Sequence, residues 1–307
     1  MATVFWQTAL LAELALAMAI GGPIGAAAGG SPLVLALVCA AALLLVQILL
    51  VLLATLLSRS AAGGGLCPLR TVTLIMESAA LLHATLRMGA HWGIRTGSHL
   101  GSGTHAKLVR STDAPPVLLI HGMLCNGGIW RPLVGVLQRA GFEHIVAIDL
   151  HPMFADIEAH AEQVIEQLRA LQRNSGGRRV VIVAHSMGGL IARAALRSAG
   201  LAVIERIVTL GTPHHGTAIA CALPFVPTRQ MCPDNAWLRQ LNAEQEGRFD
   251  VSMTCLYSPE DTLVCPPSSA ILSGARIVRV ERCGHFGLVV SQRALTRLRD
   301  ELLRERL

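Results

Sequence analysis

Apolar residues run almost unbroken from position 33 to position 57, interrupted only by Gln47 and Thr55. A helix needs roughly 20 such residues to cross a bilayer, so this pattern predicts a transmembrane helix. Residues 4–20 are also apolar but include Glu13, a charge that is costly in lipid. They lack the basic start of a signal peptide. Segment 1–57 is therefore expected to form a helical hairpin, with helices at 4–20 and 33–57 and a turn through the Gly- and Pro-rich residues between them. A single span with an interfacial first segment is the alternative. Residues 58–114 are expected to form a linker. Within it, Val72, Ile75, Met76, Ala79, Leu82 and Leu86 recur near helical spacing. This predicts an amphipathic helix over 71–88, resting on the membrane or on the domain that follows.

From position 115 the pattern changes. Short, mostly β-branched apolar runs at 117–120, 145–148, 180–183, 204–210, 251–257 and 276–280 alternate with helical patterns, the last of them over 291–306. Alternating strands and helices predict an α/β domain over 115–307, built on a largely parallel sheet covered on both faces. Strands buried on both faces read as continuous apolar runs.

Composition refines this reading. Glu13 is the only charged residue before position 58. The formal net charge is +6, and Lys107 is the single lysine among scattered arginines. No basic run is interleaved with aromatics, so a nucleic-acid partner is not expected. Arg59 and Arg70 follow the second apolar segment, while the hairpin loop has no Lys or Arg. By the positive-inside rule the α/β domain is expected on the cytoplasmic side, with the periplasmic side as the alternative. His83, His91, His99 and His105 are irregularly spaced, with only Cys67 nearby. Neither a metal nor any other cofactor is expected.

The candidate chemistry lies past the strand ends. Residues 180–183 lead into Ala184-His185-Ser186-Met187-Gly188-Gly189, and a helix-forming stretch follows. Strand, sharp turn and helix with serine at the tip describe a nucleophile elbow, with alanine where G-x-S-x-G has its first glycine. A serine hydroxyl needs a base, and the base needs a group that fixes its tautomer. Asp261 falls just past the strand at 251–257, and His285 just past the one at 276–280. Glu260 and Asp149 are rival acids. The order Ser186, Asp261, His285 is that of a hydrolase built on such a sheet. Oxyanion donors are expected from the backbone N–H groups of Met187 and Met123.

His121-Gly122-Met123, the segment around Ser186, Gly211-Thr212-Pro213-His214-His215-Gly216-Thr217, Asp261 with Val264, and Gly284-His285 together resemble the bacterial lipase/esterase branch of the α/β-hydrolases. The resemblance covers 115–307. It implies the α/β-hydrolase fold and a structural role for His214 and His215. It also implies a cap at 218–250 over an acyl pocket, here bearing Phe225, Val226, Trp237 and Leu238. With the anchor, it implies a multi-pass protein of a bacterial inner membrane that cleaves carboxylic, fatty acyl esters, its partners being the ester substrate and the membrane. Alternatives are an acyltransferase or thioesterase using the same three residues, or an inert membrane scaffold. The pairs Cys221–Cys232 and Cys255–Cys265 are candidate disulfides, and either would argue for an oxidising compartment.

Overall fold

Six short strands form one parallel sheet in the computed structural model: β1 (Val117–Ile120), β2 (Ile145–Ile148), β3 (Val180–His185), β4 (Ile204–Leu210), β5 (Ser252–Tyr257) and β6 (Arg276–Arg279). The described residues are 8, 11–13, 15, 16, 18, 19, 21, 32–61, 71–90, 114–199, 202–245, 249 and 251–304. The first expected span and its turn lie largely outside them, as do most of the linker and His91, His99 and His105.

The strand order is β2-β1-β3-β4-β5-β6. All pairings are parallel, for instance Leu118 opposite Ile182 and Val208 opposite Thr254. Alternation within each apolar run divides it between two cores. Leu118, Ile120, Val180, Ile182 and Ala184 face the cluster that holds α4 (Ile157–Asn174) and α5 (Met187–Ala199). Val117, Leu119, Val181 and Val183 face the one that holds α3 (Arg131–Arg139) and α9 (Gln292–Leu303). The chain leaves β1 toward β2, then returns past β1 to β3. The crevice at the carboxyl ends of β1 and β3 is thus a topological switch point, where α/β sheets place their ligands.

Two helices precede the sheet. The first, α1 (Pro32–Ala61), has 30 residues. Its side chains are described only in part, and none is charged before Arg59. Among the described residues no helix is long and apolar enough to cross a membrane. The second, α2 (Thr71–Gly89), is built into the second core through Ala80, Ala84 and Met88. Asn126 Nδ2 donates to the Met88 carbonyl at 3.0 Å. The face that docks is not the expected apolar one. Thr73, Glu77, Ser78 and Thr85 are buried, whereas Ile75, Met76, Ala79 and Leu86 are exposed. Small residues let α2 approach the domain closely, and Glu77 there accepts from the loop N–H groups of Phe286 and Gly287.

The last helix forms where it is expected, as α9. The short helix α8 (Gly287–Val290) is followed by α9, which Ser291 caps by accepting from Ala294 N–H.

Candidate active site

Ser186 sits between β3 and α5 at φ +55, a left-handed conformation that is strained for a residue with a side chain. Two close approaches keep the turn tight. A Cβ on Gly188 would lie 2.6 Å from the Ile120 carbonyl oxygen, and one on Gly122 would lie 2.8 Å from Ser186 Cβ. The glycine requirement read from the sequence thus has a physical cause: the elbow is pressed against the end of β1. Met187 is the first residue of α5, so its N–H belongs to the turn that lacks intrahelical acceptors. Met123 lies in the turn after β1 and lines the same cavity as Ser186.

Asp261 and His285 meet beyond β5 and β6. His285 Nδ1 lies 2.9 Å from Asp261 Oδ2 and 3.1 Å from Oδ1. Asp261 Oδ1 also accepts from the backbone N–H of Leu263 at 2.9 Å and of Val264 at 2.8 Å. These bonds fix the carboxylate before it orients the imidazole. Burial lowers the pKa of His285, but the Asp261 charge and hydrogen bond, with the Glu77 charge, outweigh it and raise it above the ordinary histidine value. The rival acids are engaged elsewhere. Glu260 accepts from Arg282 N–H and from the Thr73 hydroxyl, and Asp149 accepts from Gly127 N–H.

Ser186, His285 and Met123 line a cavity of about 240 Å³ whose walls are otherwise mainly apolar: Leu124, Ile219, Leu223, Met231, Leu263, Val264 and Phe286. The cap supplies part of this wall through the 3-10 turn Ala218–Ala222, and continues as α6 (Val226–Gln230) and α7 (Ala236–Gln245). A Cys221–Cys232 disulfide closes it. Cys255, by contrast, is a free, buried thiol, so the expected Cys255–Cys265 bridge is absent. The four apolar residues expected over the pocket all lie outside its lining, Val226 being exposed. Leu238 belongs to the core, and Trp237 packs against that core and donates Nε1–H to Glu158 at 2.6 Å. Phe225 stacks on Phe154 at 4.2 Å outside the cavity.

The remaining histidines and thiols have other settings. His214 is buried beside Thr209 and Arg193, outside the cavity. His121 Nε2 accepts from Leu150 N–H. His185, whose pKa burial holds well below the usual value, lies against His285 with the ring centroids 4.6 Å apart and the planes tilted by 45°. Burial pushes the Cys125 and Cys283 thiols up to about 12, too high for a thiolate nucleophile at neutral pH.

The sequence reading missed Glu77, which touches the loop carrying His285. The available signal was its isolation: it is the only charged residue between Arg70 and His83. It also missed Ile219, Leu223 and Met231, which have no motif and reach the cavity only through the path of the cap.

Residues 117–265 match the alpha/beta hydrolase family model. A triacylglycerol lipase of Pseudomonas fragi is 30% identical over 121 residues, covering 37% of this chain and 40% of that protein. The chain thus matches less than half the length of that curated relative. Among solved structures, Aspergillus fumigatus lipase B superposes with a TM-score of 0.60 at 17% identity, covering 94% of this chain and 84% of that one. The mature form of Bacillus licheniformis lipase BlEst2 gives 0.56 at 19% identity, covering 64% and 96%. The fold is that of the α/β-hydrolases, and the similar sequences are lipase-like.

Proposed function

We propose that this protein is a membrane-anchored serine hydrolase of carboxylic esters with fatty acyl groups. The observation that carries the reading is a single apolar cavity that holds Ser186 on its strained turn together with His285, which is hydrogen-bonded to Asp261. In this mechanism Ser186 Oγ attacks the ester carbonyl. His285 Nε2 takes the hydroxyl proton and returns it to the leaving alcohol, while Asp261 holds Nδ1–H and stabilises the imidazolium. The N–H groups of Met187 and Met123 stabilise the oxyanion. Water then releases the acyl group by the same path. Ser186→Ala should lower kcat on a chromogenic acyl ester by roughly 10⁴-fold or more with an unchanged melting temperature. Near-full activity in that variant would end the assignment.

Anchoring is supported by the charge-free run from 33 to 57 and by Leu37, Leu45, Leu49, Leu53 and Leu56, which are exposed along α1. That helix lies against α2 and against the turn Ala218–Ala222, which contributes Ile219 to the cavity wall. An acyl chain leaving the bilayer beside α1 would thus enter close to Ser186.

The Cys221–Cys232 bridge favours an oxidising compartment, against the weak vote of Arg59 and Arg70 for the cytoplasm. We therefore place the domain on the periplasmic side. In intact cells an external, membrane-impermeant protease should reach it once the outer membrane is opened. Protection until the inner membrane is lysed would return it to the cytoplasm.

A further inference from the structure

We infer that Glu77 is a positioning residue for the proposed hydrolysis, and that through it α2 holds the loop bearing His285 in register with the loop bearing Asp261. The inference rests on the serine-hydrolase reading above and adds a residue to it that lies some forty positions before the first strand.

The Glu77 side chain is buried, and both of its oxygens are used. Oε1 accepts from Phe286 N–H at 2.6 Å, and Oε2 accepts from Gly287 N–H at 2.9 Å. These are the two residues directly after His285. The fit is close: a Cβ on Gly284 would meet Glu77 Cδ at 2.3 Å, and one on Gly287 would meet Oε2 at 3.3 Å. Glycines on either side of His285 thus leave room for a carboxylate supplied by a distant helix. One turn earlier on α2, the Thr73 hydroxyl donates to Glu260, which neighbours Asp261 and accepts from Arg282 N–H at 3.1 Å. One helix therefore grips both loops, next to the acid and next to the base.

A buried carboxylate on two N–H donors is a costly way to hold a loop. Desolvation pushes its pKa up to about 7, although the bonds from Phe286 and Gly287 and the nearby His285 oppose this; the Asp261 charge adds to the rise. If holding the loop were its only task, an amide side chain could accept there with less desolvation. A carboxylate adds negative charge behind His285, which favours the imidazolium that forms as the serine proton is taken. The other titratable and charged groups around it are His83 on its own helix, Arg282 and Cys283 on the wall it shares, and Glu260 beyond. None of them bonds to the Glu77 oxygens.

The experiment uses the full-length protein in detergent, with active sites counted by a fluorophosphonate probe. In Glu77→Ala, kcat per labelled site on a short-chain ester should fall roughly 10- to 100-fold, as expected for a misplaced catalytic group. KM should stay within about twofold, because the cavity wall is intact. Glu77→Gln keeps the volume and one acceptor, so its loss should be smaller. Its acid limb in the kcat/KM profile should move to lower pH, because the charge that raises the His285 pKa is gone. If Glu77→Ala does not fold, Glu77→Gln alone decides. Unchanged kcat per labelled site, with an unmoved acid limb, would overturn the inference even if the melting temperature or the labelled fraction dropped. A wild-type protein that neither labels nor hydrolyses would instead sink the serine-hydrolase reading itself.

Discussion

The sheet body and the N-terminal helix α2 reach the same site by opposite means. In the body, each strand is set by its own apolar run and each site residue by its place just past a strand end. Ser186, Asp261 and His285 follow β3, β5 and β6 within a few residues. In α2 the apolar stripe of Ile75, Met76 and Leu86 points outward, and the docked face carries Thr73, Glu77 and Ser78. Hydrophobic periodicity thus locates a helix but does not choose its docking face when two apolar surroundings compete for it. A core and a bilayer are equally served by leucine. Only the polar groups, each needing a specific partner when buried, break the tie.

Truncation breaks this comparison most severely. Removing residues 1–66 deletes α1 and its packing on α2, but leaves the contacts between α2 and the sheet domain. The remaining chain should be soluble without detergent and retain turnover on short-chain esters close to that of the full protein. Removing residues 1–90 instead takes α2 away. It uncovers Trp130 and Ile129 in the second core and the backbone N–H groups of Phe286 and Gly287. Fully burying Met88 alone is worth about 1.5–3 kcal/mol. The N–H groups of Phe286 and Gly287 would also lose their carboxylate acceptor, a bond to a charged group contributing about 1.5–3 kcal/mol. The shorter fragment should therefore melt well below the longer one and show little or no labelling by a fluorophosphonate. Thermal melts and active-site titration of the two fragments side by side provide the check. Equal stability and equal labelling would mean that the body is self-sufficient and α2 merely rests on it.

This contrast also marks what was legible in the sequence. The parallel sheet, the elbow and the order of the three site residues were readable because each depends on local pattern: a β-branched run, a glycine at a close approach, a polar residue after a strand. The choice between Glu260 and Asp261 was open in the sequence, because adjacent carboxylates differ only in direction. The structure separates them, with Asp261 turned to His285 and Glu260 turned to Arg282 and Thr73. The lining of the apolar cavity was not legible for a different reason. Trp237 and Phe225 have the right chemistry, but a cap is placed by contacts distant in sequence. Here Trp237 is drawn to Glu158, and Arg193 binds Asn242 and Gln245 of α7. Small, unremarked residues of the turn at 218–222 are left to face the cavity. Glu77 escaped notice because a lone acid has no motif, and its partners lie 209 and 210 positions away.

The smallest expected effect sharpens the other half of the comparison, the outward face of α2. Ile75, Met76 and Leu86 are 49%, 42% and 47% exposed, and none of them lines the cavity that holds Ser186. Against a bilayer, each side chain would bury further apolar area at about 25 cal/mol per Å², so three together would contribute on the order of 1–2 kcal/mol. Alone this is weak binding, but with α1 anchored as proposed the stripe would act at high effective concentration. It would set the tilt of the domain and bring the cap down toward the lipid. Replacing Ile75, Met76 and Leu86 by serine should leave the melting temperature and short-chain turnover of the soluble 67–307 fragment within about twofold of the parent, as expected for surface changes. In the full-length protein reconstituted in liposomes, the same triple variant should lose several-fold on long-chain esters carried in the membrane. Equal loss on both substrates, in both settings, would show that the stripe supports the fold and would remove the membrane from the account of α2.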